Sequence, residues 1–199
     1  DSMYDVMEME TDMLGYVMNY VKEHCPEEIA MLNVEIPEIK EIPTIRFHEA
    51  KQIMEEKYGH KSKNRYDLNP DEEVLLCQWA KEEHGSDFVF VTHFPSAKRP
   101  FYAMDDPEDP KLALSFDLLF RGLEITTGGQ RIHDYQEQMD KLAARKMNAE
   151  LFESFTMLHK YGMPPHGGLG IGLERLTMQL LKLNNVRDAS MFPRDMNRL

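Results

Sequence analysis

The chain has 199 residues, of which 42% are hydrophobic and 29% are charged; these values are ordinary for globular domains and disfavour disordered and fibrous classes. The net charge of −12 argues against a chain that wraps nucleic acid through general attraction to phosphate, so any RNA contact must be local or lie elsewhere in the protein. No apolar run approaches the roughly 20 residues that span a bilayer, and the acidic start DSMYDVMEME is unlike a secretory leader, so we expect a cytoplasmic protein without a membrane partner.

The first predicted element is an amphipathic helix. Residues 3–24 place apolar side chains such as Met13 and Val17 at helical spacing, with acidic residues between them. Pro26 is predicted to end this helix, because proline lacks the backbone N–H that a helix interior needs. The many methionines of the segment indicate core packing or a face for a partner helix.

Two further helices are predicted before the middle of the chain. Residues 37–46 are a connector bounded by prolines, and a short helix is expected at 48–58. Asn69 is a good N-cap, Pro70 suits the first helical position, and the acids that follow favour a helix N-terminus. This helix is predicted to run to Gly85.

Strands are predicted in the middle of the chain, followed by helices. Four segments rich in aromatic and β-branched residues are separated by turn residues and are expected to be successive antiparallel strands: 88–94, 99–104, 112–120 and 122–127. Helices are expected at 131–146, 149–160 and 173–183. The order predicts an α+β domain, an antiparallel sheet flanked by helices.

A pair of acidic residues lies in a predicted hairpin. If the hairpin is centred between Phe120 and Arg121, Asp117 is directly opposite Glu124, with Cβ atoms about 4.5 to 5.5 Å apart. Two like charges so placed destabilise a sheet unless a cation neutralises them, and oxygen ligands with open positions suit Mg²⁺. The alternative is that these acids are paired with Arg121 or Lys111, or face solvent.

An arginine follows the second of these strands. The segment TTGGQR ends in Arg131, and its two glycines allow the backbone to approach a ligand closely. The planar fork of an arginine matches a carboxylate with two hydrogen bonds. Arg131 is therefore a candidate for binding a small acidic substrate, and the alternative is a solvated arginine at the start of a helix.

The densest motif is a glycine-rich segment that leads into a helix. Glycines at 168, 170 and 172 leave one face of an extended segment bare, so that a flat group or a ribose can lie against the backbone. Arg175 is in the first turn of the following helix. A glycine-rich strand pressed against a neighbouring helix is the alternative, since the motif lacks the context of a P-loop or a Rossmann unit.

These motifs together resemble one enzyme family. GLGIGLERL (168–176) is similar to motif 3 of class II aminoacyl-tRNA synthetases, and SFDLLFRGLEITTGGQRIH (115–133) resembles the catalytic strands of their aspartyl/asparaginyl branch. FPRDMNRL (192–199) is similar to the C-terminus of that branch. The match is close over 85–199 and has the character of the archaeal-type aspartyl enzymes. Residues 1–199 are thus identified as the C-terminal part of such a catalytic domain.

The resemblance implies a substrate set and a role for individual residues. It implies a homodimeric ligase that activates L-aspartate with ATP, uses Mg²⁺, and transfers the aspartyl group to tRNA. Relatives carry serine in place of Thr127, a change that keeps the hydroxyl. The implied roles are Mg²⁺ binding by Asp117, Glu124 and Thr127, aspartate binding by Thr127 and Arg131, ATP binding by Glu124, Gly172, Leu173, Glu174 and Arg175, and catalysis by Glu124 and Arg175.

The resemblance also raises alternatives. Motifs 1 and 2 and the anticodon-binding OB fold of the branch are expected to be absent from residues 1–199, so the fragment alone is expected to be inactive. The competing functions are an asparagine synthetase related to these enzymes, an asparaginyl-tRNA synthetase, and a non-catalytic paralogue or dimerisation module. The acids and arginines kept at positions 117, 124, 131 and 175 weigh against the last of these.

Overall fold

The centre of the molecule is a five-stranded sheet in which spatial order follows chain order. The structure is a computed structural model and describes residues 2–196. Its strands are β1 (Thr44–Arg46), β2 (Phe88–Thr92), β3 (Ser115–Phe120), β4 (Leu123–Arg131) and β5 (His166–Ile171). β1 pairs with β2 in parallel and every other pair is antiparallel. The predicted α+β class is confirmed, with the parallel edge strand β1 as an addition.

Seven α-helices surround this sheet in the described part of the chain. They are α1 (Met3–His24), α2 (Pro26–Leu32), α3 (Phe47–Tyr58), α4 (Pro70–His84), α5 (Tyr135–Ala144), α6 (Glu153–Lys160) and α7 (Leu173–Leu180). Short 3₁₀ turns occur at Ser96–Lys98, Ala149–Phe152 and Val186–Ala189. The predictions for α1 and α4 are confirmed to within a residue, and Gly85 ends α4 with a left-handed φ of 66°, as a glycine C-cap should.

Some predicted boundaries were wrong. The prediction that Pro26 ends α1 is confirmed, but Pro26 also begins α2, a helix that was not predicted. Proline fits there because the first turn of a helix needs no N–H from its first residue. The segment 99–104 is a loop with a single bridge from Ala103 to Arg131. Arg131 is the last residue of β4, and α5 begins only after Asp134, whose side chain caps it by accepting from the Glu137 N–H at 2.8 Å.

The two faces of the sheet carry separate hydrophobic clusters. Phe116, Leu118 and Phe120 of β3 point toward α1 and α7, where they pack with residues such as Leu14 and Leu176. Leu119 points the other way and packs with the residues of α3 and α4. Asp117 lies on the same face as Leu119, since side chains alternate along a strand. The candidate site is therefore on the face that carries α3 and α4.

The C-terminal similarity at 192–199 falls partly on residues 197–199, which lie outside the described part of the chain.

Candidate functional site

The β3–β4 hairpin has a different register from the predicted one. Its turn consists of Arg121 and Gly122, both with positive φ (47° and 90°), as a two-residue type I′ turn requires. A β-bulge then shifts the register, so that Asp117 is opposite Thr127. The predicted direct pairing of Asp117 with Glu124 was wrong for two reasons. The hairpin is centred between Arg121 and Gly122, one residue later than assumed, and the bulge moves the partner of Asp117 by one further residue.

The bulge nevertheless brings the predicted residues to one face. Residues 124 and 127 would face opposite sides of a regular strand, but the Thr127 hydroxyl donates to Glu124 Oε1 at 2.9 Å. Thr127 is also the cross-strand neighbour of Asp117. Asp117, Glu124 and Thr127 therefore form one polar group on the site face of the sheet.

Asp117 is buried and is paired with an arginine that the sequence did not indicate. Arg99 donates two hydrogen bonds to it, from Nη1 to Oδ1 at 2.9 Å and from Nη2 to Oδ2 at 2.7 Å. The Arg99 guanidinium also stacks on the Phe94 ring, 3.8 Å from its centroid. Burial raises the pKa of Asp117, and the charge of Arg99 opposes this effect.

Glu124 is partly buried between charges of both signs. Burial raises its pKa, and the nearby charge of Asp117 raises it further, while the Thr127 hydroxyl and Arg175 lower it. Glu73 of α4 accepts a hydrogen bond from the Glu124 backbone N–H at 2.8 Å. The pKa of Glu73 is also raised, and burial is the main cause. Excess negative charge thus collects at this point of the sheet.

The oxygen atoms of this group fit a divalent cation only in part. Within residues 2–196 no group of three or more His, Cys, Asp or Glu side chains is arranged to hold a metal ion. Two carboxylates and a hydroxyl on one face match a Mg²⁺ that takes its remaining ligands from water and substrate phosphates. Both oxygens of Asp117 already accept from Arg99, and Arg175 lies 3.5 Å from Glu124 Oε1, so each carboxylate has a cationic partner in the described part of the chain.

A cavity of about 300 Å³ lies beside this group, and Arg131 lines it together with Arg99, Tyr102, Thr127 and Gly168. The Arg131 guanidinium lies over the Tyr102 ring, 5.3 Å from its centroid. No carboxylate among residues 2–196 lies within salt-bridge distance of it. A stacked guanidinium facing a cavity without an acidic partner is ready to bind an anion.

The glycines of β5 are needed for two different reasons. A Cβ on Gly168 would lie 3.0 Å from Arg131 Nη2, so glycine at 168 leaves room for the arginine. A Cβ on Gly167 would lie 2.9 Å from the Val6 side chain of α1, which is the helix packing that the alternative interpretation predicted. One face of β5 therefore lies against the Arg131 cavity, and the other packs against α1.

Arg175 reaches the acidic group from α7. Gly172 caps α7 and donates its N–H to the Ile125 carbonyl at 2.7 Å, which fixes the helix start against β4. Arg175 Nη1 donates to the Glu124 carbonyl at 2.7 Å and lies 3.5 Å from Glu124 Oε1, with its side chain about half exposed. Leu173 and Glu174 are exposed, and neither lines the cavity of Arg131.

Sequence reasoning missed three participants. Arg99 and Tyr102 lie in a segment that was predicted to be a strand, and Glu73 was assigned only to a helix start. The Arg99 loop is held by Arg145, which donates to the carbonyls of Arg99 and Ser96 at 2.6 and 2.7 Å. The only local signal was the composition RPFYA, a cation beside aromatic residues.

The antiparallel strands, the glycine-rich β5 and the arginine of α7 define the catalytic-domain class of class II aminoacyl-tRNA synthetases. More particularly, the chain belongs to the family "tRNA synthetases class II (D, K and N)", whose sequence profile matches residues 1–196. The resemblance found in the sequence is thereby confirmed.

Individual relatives agree with this assignment. The aspartate–tRNA(Asp/Asn) ligase of Deinococcus radiodurans is 48% identical over 98% of this chain, which covers 46% of that protein. The aspartyl-tRNA synthetase from Entamoeba histolytica has a TM-score of 0.91 at 28% identity, over 100% of this chain and 42% of that chain. The asparaginyl-tRNA synthetase from Pyrococcus horikoshii complexed with asparaginyl-adenylate has a TM-score of 0.89 at 31% identity, over 100% of this chain and 46% of that chain. The chain thus spans less than half the length of these relatives.

No helix among residues 2–196 has the length and hydrophobicity that a transmembrane span requires.

Proposed function

We propose that this chain is the C-terminal part of the catalytic domain of an aspartate–tRNA ligase, which activates L-aspartate with ATP and transfers the aspartyl group to tRNA. The observation that carries the proposal is Arg131, stacked on Tyr102 at the wall of the cavity. The relatives that are named aspartate–tRNA ligases support the same substrate. Mg²⁺, homodimer formation and the cytoplasm belong to this proposal as expectations from the family.

The proposed reaction needs no nucleophile from the protein. The α-carboxylate of aspartate attacks the α-phosphorus of ATP, the bond to the bridging oxygen breaks, and pyrophosphate leaves. Aspartyl adenylate results, and a ribose hydroxyl of the tRNA end then attacks its carbonyl and releases AMP. The protein contributes position and charge, which account for most of catalysis in reactions of this kind.

Each site residue has a task in this proposal. Arg131 holds the side-chain carboxylate of aspartate with its planar fork, and Thr127 lies beside the amino acid. Arg175, half exposed at the start of α7, stacks on adenine and reaches the terminal phosphate. Glu124 and Asp117 would hold Mg²⁺, which would neutralise phosphate charge. Gly172, Leu173 and Glu174 form the backbone and rim of the ATP site.

The first prediction tests Arg131. Arg131→Lys keeps the charge but loses the second hydrogen bond, so we expect a loss of about 1.5 to 3 kcal/mol, or roughly ten- to a hundredfold in the aspartate KM. The measurement is aspartate-dependent pyrophosphate exchange by the full-length protein at saturating ATP. The ATP KM should change little.

Arg187→Lys, an arginine outside the cavity, is the matched control and should behave like the wild type. If Arg131→Lys used aspartate normally, the substrate assignment would lose its support. Exchange driven by asparagine in place of aspartate would instead assign an asparaginyl enzyme. Adenylate formation that continues to free asparagine with ammonia, without tRNA, would assign the asparagine synthetase.

A further inference from the structure

Positive charge is concentrated in one segment of this acidic chain. The net charge is −12, yet residues 46–65 contain six lysines and arginines against three glutamates. Within this segment, HKSKNR (60–65) carries three cations and no acid. Such segregation is the electrostatic signature expected for a local contact with a polyanion.

Three cations of this segment, Lys51, Lys61 and Arg65, line a concave surface. α3 and the loop that follows it form a groove of about 630 Å³ with Pro95 and Leu112 at its far wall. We call this the basic groove, and its polar lining comprises His48, Lys51, Gln52, Glu55, Lys61, Ser62, Asn64 and Arg65. Lys63 is exposed between Ser62 and Asn64 but is not part of the lining. Amide and hydroxyl groups beside cations are the donors that contact phosphate and sugar in nucleic-acid complexes.

The loop that carries the cations is fixed in place. Lys51 Nζ donates to Ser62 Oγ at 2.9 Å and to the Asp67 carbonyl at 2.8 Å, and it pairs with buried Glu72 at 2.7 Å. Lys51 is therefore a structural residue, because its ammonium group is already paired with Glu72 and hydrogen-bonded to the loop. The three cations of 60–65 are presented on an ordered framework.

These three cations keep their charge available. Neither Lys63 nor Arg65 has a carboxylate within 4.0 Å among residues 2–196. Lys61 lies 3.8 Å from Glu55, but both side chains are exposed (84% and 59%), and such surface pairs contribute little. A phosphate could replace Glu55 at small cost.

The basic groove adjoins the candidate site. Phe47 lines the groove and packs against Phe94, with 4.9 Å between ring centroids. Arg99 lies over the Phe94 ring and also lines the Arg131 cavity. Anything held in the groove is thus next to the place where the adenylate would form.

We propose that the basic groove binds the phosphate backbone of the RNA substrate and directs its end toward the site. This rests on the proposed function, because a tRNA ligase must hold RNA beside its adenylate. Lys61 and Arg65 of the lining make phosphate contacts together with the exposed Lys63 beside them, and Asn64 and Gln52 add hydrogen bonds. The groove is the local exception to an otherwise acidic chain.

The test replaces the three cations together, Lys61→Ala, Lys63→Ala and Arg65→Ala, in the full-length protein. Loss of three phosphate contacts should lower the slope of log K against log salt by about 2 to 3 and weaken tRNA binding about 10- to 100-fold at 0.15 M salt. Filter binding of tRNA over a series of salt concentrations measures both. Lys22→Ala, Lys40→Ala and Lys160→Ala, three exposed lysines outside the groove, change the net charge equally and should leave the slope near its wild-type value.

A charge-keeping variant, Lys61→Arg, Lys63→Arg and Arg65→Lys, should retain binding. Wild-type affinity and slope in the alanine variant, or equal losses in the two alanine variants, would overturn the proposal. Pyrophosphate exchange needs no RNA and separates the two hypotheses. A wild-type protein without aspartate-dependent exchange would contradict the proposed function, whereas the tRNA binding of the variants would still decide the role of the groove.

Discussion

A single ion pair dominates the candidate site at the scale of residues. Asp117 and Arg99 are both nearly inaccessible, with side chains 5% and 10% exposed, and two hydrogen bonds join them. A buried carboxylate without its partner is far more costly than a solvated one. Arg99 therefore determines whether Asp117 can stay ionised in the folded protein.

We predict that Arg99→Ala lowers the free energy of unfolding by about 3 to 5 kcal/mol at neutral pH, because it leaves the Asp117 charge buried and unpaired. The loss should become smaller as the pH falls, because removal of Arg99 raises the pKa of Asp117 further and a protonated Asp117 buries no charge. Urea denaturation at pH 5 and pH 8 measures the difference. Lys98→Ala, an exposed neighbour, is the control and should have little effect at either pH, and an equal loss for Arg99→Ala at both pH values would contradict the argument.

At the scale of elements, helix α1 carries a buried acid where it packs against the sheet. Glu10 is 0% exposed, and neither of its carboxylate oxygens nor the nearby Thr126 hydroxyl has a hydrogen-bond partner of ordinary geometry among residues 2–196. Burial is the main cause that raises the pKa of Glu10 to about 7, and Thr126 acts in the opposite direction. The helix thus packs on β4 through a side chain that prefers to be neutral.

The raised pKa determines how stability depends on pH. The folded state binds the Glu10 proton more tightly than the unfolded chain, whose pKa is near 4.5. The free energy of unfolding should therefore fall as the pH rises from about 4.5 to about 7 and then level off. The loss contributed by Glu10 is about 3 kcal/mol.

We predict that Glu10→Gln stabilises the protein at pH 8 by about 1 to 3 kcal/mol and has little effect at pH 4.5, because glutamine remains neutral throughout. Denaturation midpoints between pH 4.5 and 8.5 measure the change. Glu8→Gln alters an exposed acid on the same helix and should leave the pH profile of the wild type in place. A Glu10→Gln profile parallel to that of the wild type would show that another group is responsible.

At the scale of the whole molecule, Arg121 ties together four separate segments. It sits in the β3–β4 turn, donates from Nε and Nη2 to Asp87 before β2 at 3.2 and 2.9 Å, and reaches the carbonyls of Glu35 at 3.0 Å and Gln179 at 3.3 Å. Asp87 keeps a second partner in Lys81. The turn that positions the catalytic hairpin is thereby fixed to α7 and to the segment after α2.

We predict that Arg121→Ala lowers the free energy of unfolding by about 2 to 3 kcal/mol, since it removes charge-assisted hydrogen bonds from partly buried acceptors. Lys40→Ala, which removes an exposed cation with a surface partner, should change it by less than about 0.5 kcal/mol. Urea denaturation compares the two. Equal effects would mean that Arg121 acts only through net charge.

The sequence by itself determined what depends on neighbouring residues. The apolar spacing of residues 3–24, the start at Asn69 with the stop at Gly85, and the glycines before Arg175 predicted α1, α4 and the turn into α7, because helix periodicity and capping act within a few residues. The motifs at 115–133 and 168–176 were also sufficient for the family. The roles of the individual site residues remain predictions.

Only the tertiary structure decided which distant residues meet. The bulge that sets Asp117 opposite Thr127 is seen only in the pairing of β3 with β4, and the parallel strand β1 pairs with a strand more than forty residues away. Arg99 reaches Asp117 because Arg145 of a later segment holds its loop. The groove beside the site likewise requires α3 and its loop to pack near Pro95. Contacts of this kind arise from long-range packing, which no local pattern of residues records.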